Sequence, residues 1–177
     1  IPACIDGFAD SIKPHKPYLS ANEKSYFENP RVLAVVAHQD DETIGCGIFL
    51  SRFQGDKYVA FVTNGAPYRK ELYPLSNIKD AERYSKTRKQ EALDAVRLFG
   101  VPHENIYFID FADQSLIYNM HAVIQRLQNL LGRIKPSVVL THCYEGGHPD
   151  HDVTRFCAQE ALKKSRIPPV LLEFPEY

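Results

Sequence analysis

The stretch Arg31-Val-Leu-Ala-Val-Val-Ala-His-Gln-Asp-Asp-Glu42 changes character halfway along. Val32 to Ala37 is an unbroken apolar run. It predicts a strand over Arg31–Ala37 buried on both faces, since a strand with one wet face would alternate. The run stops at His38, Asp40, Asp41 and Glu42, and a helix is expected over Glu42–Gln54. Four ionisable side chains at the end of a buried strand are costly to hold without a partner. A divalent metal ion is the simplest partner for a histidine beside carboxylates. A second cluster, His148-Pro-Asp-His151, lies far along the chain and reads as the other half of one site. A capped helix start would account for one aspartate in each cluster, but not for the histidines that accompany them.

The chain between and around these clusters has a regular rhythm. Residues 1–30 carry Pro2, Pro14, Pro17 and Pro30 and little apolar periodicity, and read as an irregular arm. From 31 to 177 a single domain is expected. Further strands are predicted over Lys57–Thr63, Asn105–Phe111, Ser137–Cys143 and Pro169–Phe174. Asn64-Gly65 should close the second strand and border the pocket, with Ala66–Ile78 as a surface loop carrying Tyr68, Leu72 and Tyr73. Helices are predicted over Lys79–Phe99, with Ala92, Leu93, Val96 and Phe99 on one face and Gly100 as cap, over Ser115–Leu131 ended by Gly132, and over Asp150–Ser165. Strands alternating with helices imply parallel pairing and right-handed crossovers. The fold class is therefore α/β: a Rossmann-like three-layer α/β/α sandwich with a mostly parallel sheet. Sites in such sheets form at the carboxyl ends of the strands, which is where both clusters fall.

Bulk properties narrow the function. The 177 residues suit about one domain. A formal net charge of -1 without a basic stripe gives no support to nucleic-acid binding. No apolar run approaches the roughly 18 residues of a membrane span. A soluble protein is expected, with the cytoplasm favoured over secretion. Cys4, Cys46, Cys143 and Cys157 show no CxxC spacing and read as free, mostly buried thiols. Ile1 is not a start residue and the chain stops just past a strand, so extensions at either end are left open.

Two histidines and one carboxylate leave a position open on zinc, the arrangement of a catalytic rather than a structural ion. Zinc lowers the pKa of its water to about 7. A nearby carboxylate can take the proton, and an opposing histidine can support a carbonyl oxyanion. The residue types suit amide or ester hydrolysis. A two-metal phosphoesterase would need more ligands, and a non-catalytic carbohydrate-binding module would not need Asp40 or His148.

The sequence resembles the LmbE-like and PIG-L family of zinc-dependent de-N-acetylases. The likeness rests on Ala37-His-Gln-Asp-Asp-Glu42 against the family's AHPDDE run and on His148-Pro-Asp-His151 against its HPDH run, and spans about residues 31–155. It implies His38, Asp41 and His151 as ligands of one Zn2+ per chain, with Fe2+ as the alternative. It implies Asp40 as general base, His148 as the residue that supports the oxyanion and the leaving amine, and Asp150 as the residue that orients a histidine. Arg88, in Arg88-Lys-Gln-Glu91, and Asp113 match substrate-contact positions. The implied substrate is an N-acetylated amino sugar or glycoconjugate; separately, the aromatic rings of Tyr68 and Tyr73 in the loop are expected to help hold a sugar face. Gln39 stands where the family has proline, which frees the backbone at His38 and brings an amide near the pocket. His15, His103, His121 and His142 match no motif, and His142 reads as a satisfied polar residue at a strand end.

Overall fold

The strand β1, Arg31–Val36, is buried over Val32–Val36 because neighbours cover both its faces. The computed structural model describes residues 28–69 and 81–176. The expected arm falls almost wholly outside them, as do Cys4, His15, Leu72, Tyr73 and the start of the helix expected from Lys79. After β1 come α1 (Asp41–Arg52), β2 (Asp56–Pro67), α2 (Ala81–Leu98), β3 (Ile106–Asp113), α3 (Leu116–Ile134), β4 (Val138–His142), α4 (Pro149–Leu162) and β5 (Val170–Phe174). The five strands form one sheet in the order β3-β2-β1-β4-β5. Every pairing is parallel.

Alternation along β1 sends its side chains to two different cores. Leu33 and Val35 join Ala60 and Val62 in packing with Leu116, Val123 and Leu127 of α3 and Val153, Cys157 and Ala161 of α4. Val32, Ala34 and Val36 face the other way, with Val59 and Phe61, onto Cys46 and Leu50 of α1 and Ala92 and Val96 of α2. Two helices thus cover each face, and the expected three-layer sandwich is present. Leu127 is almost wholly buried, so truncating it to alanine would cost about 2–5 kcal/mol.

The boundaries differ from expectation at two informative places. β2 runs through Asn64-Gly65, the expected stop, and takes in Ala66 and Pro67. The Asn64 side chain accepts the Ala66 N–H at 2.9 Å, and Gly65 has φ +74°. The turn signal is absorbed as an irregularity, and pairing with β3 resumes at Pro67 and Asp113 after a register shift. In α3, Gly132 sits within the helix, and Lys135 makes the left-handed cap instead, its N–H reaching the Leu131 carbonyl at 2.8 Å. Gly100 does follow α2 as expected, at φ +74°, with Ala92 and Val96 buried. Cys46 and Cys157 are buried free thiols, and Cys143 is half-buried and free. Among the described residues no helix is long and apolar enough to cross a membrane.

The connections from β1 run outward to β2 and β3, then return across the sheet to β4 on the far side of β1. The chain reverses its winding between β1 and β4. A crevice opens there at the carboxyl edge, where open α/β sheets bind ligands.

Candidate active site

The end of β1 is pinned from both sides. The Ala37 N–H donates to His142 Nε2 at 2.9 Å. The Ala37 carbonyl accepts from the Thr63 N–H and from Thr63 Oγ1, each at 2.9 Å. The next residue, His38, donates its N–H to Asp41 Oδ2 at 2.6 Å, so the first turn of α1 closes back on the strand. On the other side of the crevice, His148 caps α4, its Nδ1 accepting the Asp150 N–H at 3.2 Å. Pro149 occupies the first turn, where its missing N–H costs nothing. The cap occupies Nδ1 as an acceptor, so in neutral His148 the hydrogen lies on Nε2.

These two strand ends bring His38, Asp41 and His151 together. His38 Nδ1 lies 3.2 Å from His151 Nε2 and 3.3 Å from Asp41 Oδ2. His151 Nε2 lies 3.5 Å from Asp41 Oδ1. Four donors at about 2.0–2.1 Å around a tetrahedral zinc stand about 3.3 Å apart; the two ring nitrogens stand at about that spacing, and Asp41 meets them with different oxygens, Oδ2 toward His38 and Oδ1 toward His151. Further donors extend the set in two directions: Asp113, His148 and Asp150 with His38, and His142 and Glu176 with Asp41 and His151.

Carboxylates hold the rings from behind. Asp113 Oδ1 lies 2.9 Å from His38 Nε2, which leaves Nδ1 facing Asp41 and His151. Asp150 Oδ2 lies 3.8 Å from His38 Nε2. That carboxylate also accepts the N–H groups of Gln114 and Leu116, at 2.6 and 3.4 Å, at the entry to α3. Burial works against a charge on His38, but Asp113, Asp150 and Asp41 outweigh it and raise the ring well above the ordinary histidine range. Burial likewise disfavours a charged Asp41, yet His142, His151 and His38 hold its carboxyl well below the ordinary range. His148 is lowered, first by burial and then by the charge on His38. Glu176 is pushed up to about 8 by burial and by Asp41.

The crevice opens outward into a cleft of about 270 Å³. His38, Asp41, His148, His151, Asp113 and Glu176 line its inner part, and Asp40, Arg88, Tyr84, Ile44 and Gly65 its mouth. Asp40 is exposed and lies 3.0 Å from Arg88 Nη2. Arg88 also reaches the Gln39 carbonyl and Glu91, so it both faces the cleft and carries an ion pair. The Gln39 amide is buried beside the cleft residue Gly65, with Nε2 donating to the Thr63 carbonyl at 2.7 Å. Its Oε1 lies 2.5 Å from where a Cβ on Gly65 would stand. A side chain at 65 would collide with it.

Seven of the eight residues singled out from the sequence line the cleft, and Asp150 lies directly behind it. Asp113 turns its carboxylate to His38 rather than leaving it open at the mouth. Two residues at or behind the inner part, Glu176 and His142, are not among those singled out from the sequence. His142 is stacked on His151, with ring centroids 4.1 Å apart and planes 11° apart. Its place at the end of an apolar strand was the available signal. Glu176 follows β5 with no motif around it.

Fold and crevice together define an α/β sandwich whose winding reversal carries a histidine–aspartate set suited to a divalent ion. The chain belongs to the PIG-L family, GlcNAc-PI de-N-acetylase, whose model matches residues 33–162. Solved structures share the fold. The A40926 pseudoaglycone deacetylase Dbv21 is 26% identical with a TM-score of 0.65, the match covering 82% of this chain and 64% of that one. The N,N'-diacetylchitobiose deacetylase from Pyrococcus horikoshii is 24% identical with a TM-score of 0.63, covering 81% and 53%. The 4-carboxy-2-hydroxymuconate hydratase GalB from Pseudomonas putida is 21% identical with a TM-score of 0.63, covering 76% and 56%. This chain therefore spans little more than half to under two thirds of the length of these proteins.

Proposed function

We propose that this chain is a metal-dependent de-N-acetylase acting on an N-acetylated amino sugar or a conjugate that carries one. The observation that carries the reading is the meeting of His38 Nδ1, Asp41 and His151 Nε2 within 3.2–3.5 Å at the floor of a cleft bordered by Asp40 and His148. Family membership and the deacetylases among the similar structures support it. His38, Asp41 and His151 would hold one zinc, and the same nitrogen and oxygen donors accept iron(II). When bound, the ion supplies Lewis acidity and acidifies water to a pKa of about 7.

The chain's own residues do the rest. Asp40, accessible at the mouth, takes a proton from the attacking water as the new C–O bond forms. His148, with its hydrogen on Nε2, donates to the carbonyl oxygen as it gains charge. The C–N bond then breaks, and the proton passes to the departing nitrogen, giving acetate and a free amine. Asp113 and Asp150 fix the His38 ring. Arg88 holds Asp40 at the mouth and presents a guanidinium to hydroxyl or phosphate groups of the substrate. The cleft volume suits a small-molecule group rather than a folded partner.

The test is acetate release from a panel of N-acetylglucosamine derivatives, using chelator-stripped protein with and without one equivalent of zinc. Zinc-dependent release is expected. Absence of release across the panel from protein holding zinc at unit stoichiometry would overturn the substrate class. Two metals per chain with phosphoester cleavage would overturn the reaction.

A further inference from the structure

Glu176 lies outside the stretch that the family model matches, which ends at 162. It follows β5, and its side chain is 5% exposed. The tail that carries it is fixed: the Glu176 N–H donates to Glu145 Oε1 at 2.8 Å, and the Phe174 carbonyl accepts the Cys143 N–H at 3.1 Å. Its carboxylate faces two stacked rings. Oε1 lies 3.4 Å from His142 Nδ1, and Oε2 lies 3.5 Å from His151 Nδ1.

The neighbouring ring gives an independent reason for this placement. His142 Nε2 accepts the Ala37 N–H, so in the neutral ring its hydrogen sits on Nδ1, the nitrogen 3.4 Å from Glu176 Oε1, with no hydrogen bond between the two. His151 is stacked nearly parallel to it and presents Nδ1 to the same carboxylate. Its Nε2 is on the opposite edge, toward His38 and Asp41. A carboxylate behind a ligating histidine fixes both ring orientation and tautomer. Asp113 already stands in that relation to His38.

We infer that Glu176 is the positioning residue of His151, holding hydrogen on Nδ1 so that Nε2 is presented to the metal. The inference rests on the metal reading above and extends it to a residue beyond the family-matched stretch. In its ionised form this carboxylate favours hydrogen on the nearby His151 Nδ1; without it the ring can turn or change tautomer.

Two measurements test it. The first is zinc affinity, by competition with a chromophoric chelator, for the wild type, Glu176→Gln and Glu173→Gln. Glu173 sits on β5 but pairs with Arg155, so it controls for disturbance of that strand. Glu176→Gln is expected to lower affinity about ten- to a hundredfold while the metal-free protein melts as the wild type does. Glu173→Gln should bind as the wild type. The second uses the wild type alone, so it stands even if Glu176→Gln does not fold. Long-range nitrogen–proton correlation spectra of the zinc-loaded protein should show His151 with hydrogen on Nδ1 and metal on Nε2. Equal affinity in wild type and Glu176→Gln, or metal on His151 Nδ1, would overturn the inference and leave the metal reading standing. A wild type that takes up no zinc would overturn both.

Discussion

Asp40 and Asp41 are adjacent in the chain and belong to different halves of the site. The Asp41 side chain is 5% exposed and lies among His38, His142 and His151. The Asp40 side chain is 50% exposed and touches Arg88 at the mouth. The inner half consists of charges and rings that hold one another in fixed positions. The outer half is open to water and to whatever enters the cleft. Under the proposed function the difference would answer two demands. A metal-donor set needs spacing that does not drift, which burial and mutual hydrogen bonding supply. A proton acceptor needs access to the water it deprotonates.

The largest effect should come from breaking the inner half. Asp41→Asn removes the charge that the rings of His38, His142 and His151 share, and loss of one partner in a buried charge cluster costs about 3–5 kcal/mol. Urea unfolding should show that loss, and elemental analysis should find metal content falling from one per chain toward zero. Asp40→Asn should behave in the opposite way. Metal content and unfolding midpoint should stay as in the wild type, while turnover falls by roughly 10²–10⁴-fold. A loss of metal in Asp40→Asn would mean that the two halves are not separate.

Smaller changes examine the seam between them. Gly65→Ala puts a Cβ onto Gln39 Oε1 at φ +74°. It should cost at least about 1–2 kcal/mol for the left-handed backbone alone, visible as a lowered melting temperature. Arg88→Met unties Asp40 and the Gln39 carbonyl without touching the inner half. Stability should change by no more than about 1 kcal/mol, and kcat/KM should fall about tenfold with metal content unchanged. If Arg88→Met released metal, the mouth would be part of the donor set.

The inner half was legible in the sequence where it lies on helix starts. Apolar strand, then His38 and Asp41 at the entry of α1, or His148 and His151 at the entry of α4, is a local pattern in which chemistry and chain geometry coincide. The partners that hold those rings were not legible in the same way. Glu176 is one carboxylate in Phe174-Pro-Glu, and only the docking of the tail against Glu145 gives it a place. His142 reads as a strand residue, since neither its stacking on His151 nor its bond from Ala37 leaves a spacing signal. Asp113 was found at its strand end, but the sequence could not show that its carboxylate is occupied by His38. The strand and helix ends misread in β2 and α3 have a common cause. Glycine marks permissive backbone, and whether the chain stops there depends on what it packs against.

The pairing of β1 with β4 sets an order of events during synthesis. His38 leaves the ribosome 113 residues ahead of the His151 it must meet. At about 5–20 residues per second, that interval is roughly 6–23 s. Through it, His38 and Asp41 are exposed on an unfinished sheet without His142, His151 or Glu176. A cation that meets them early finds two donors and no enclosure, and exchanges freely. On the proposed metal reading, loading would fall after β4 and β5 have docked, and the ion held would reflect the metal pool that surrounds the completed fold.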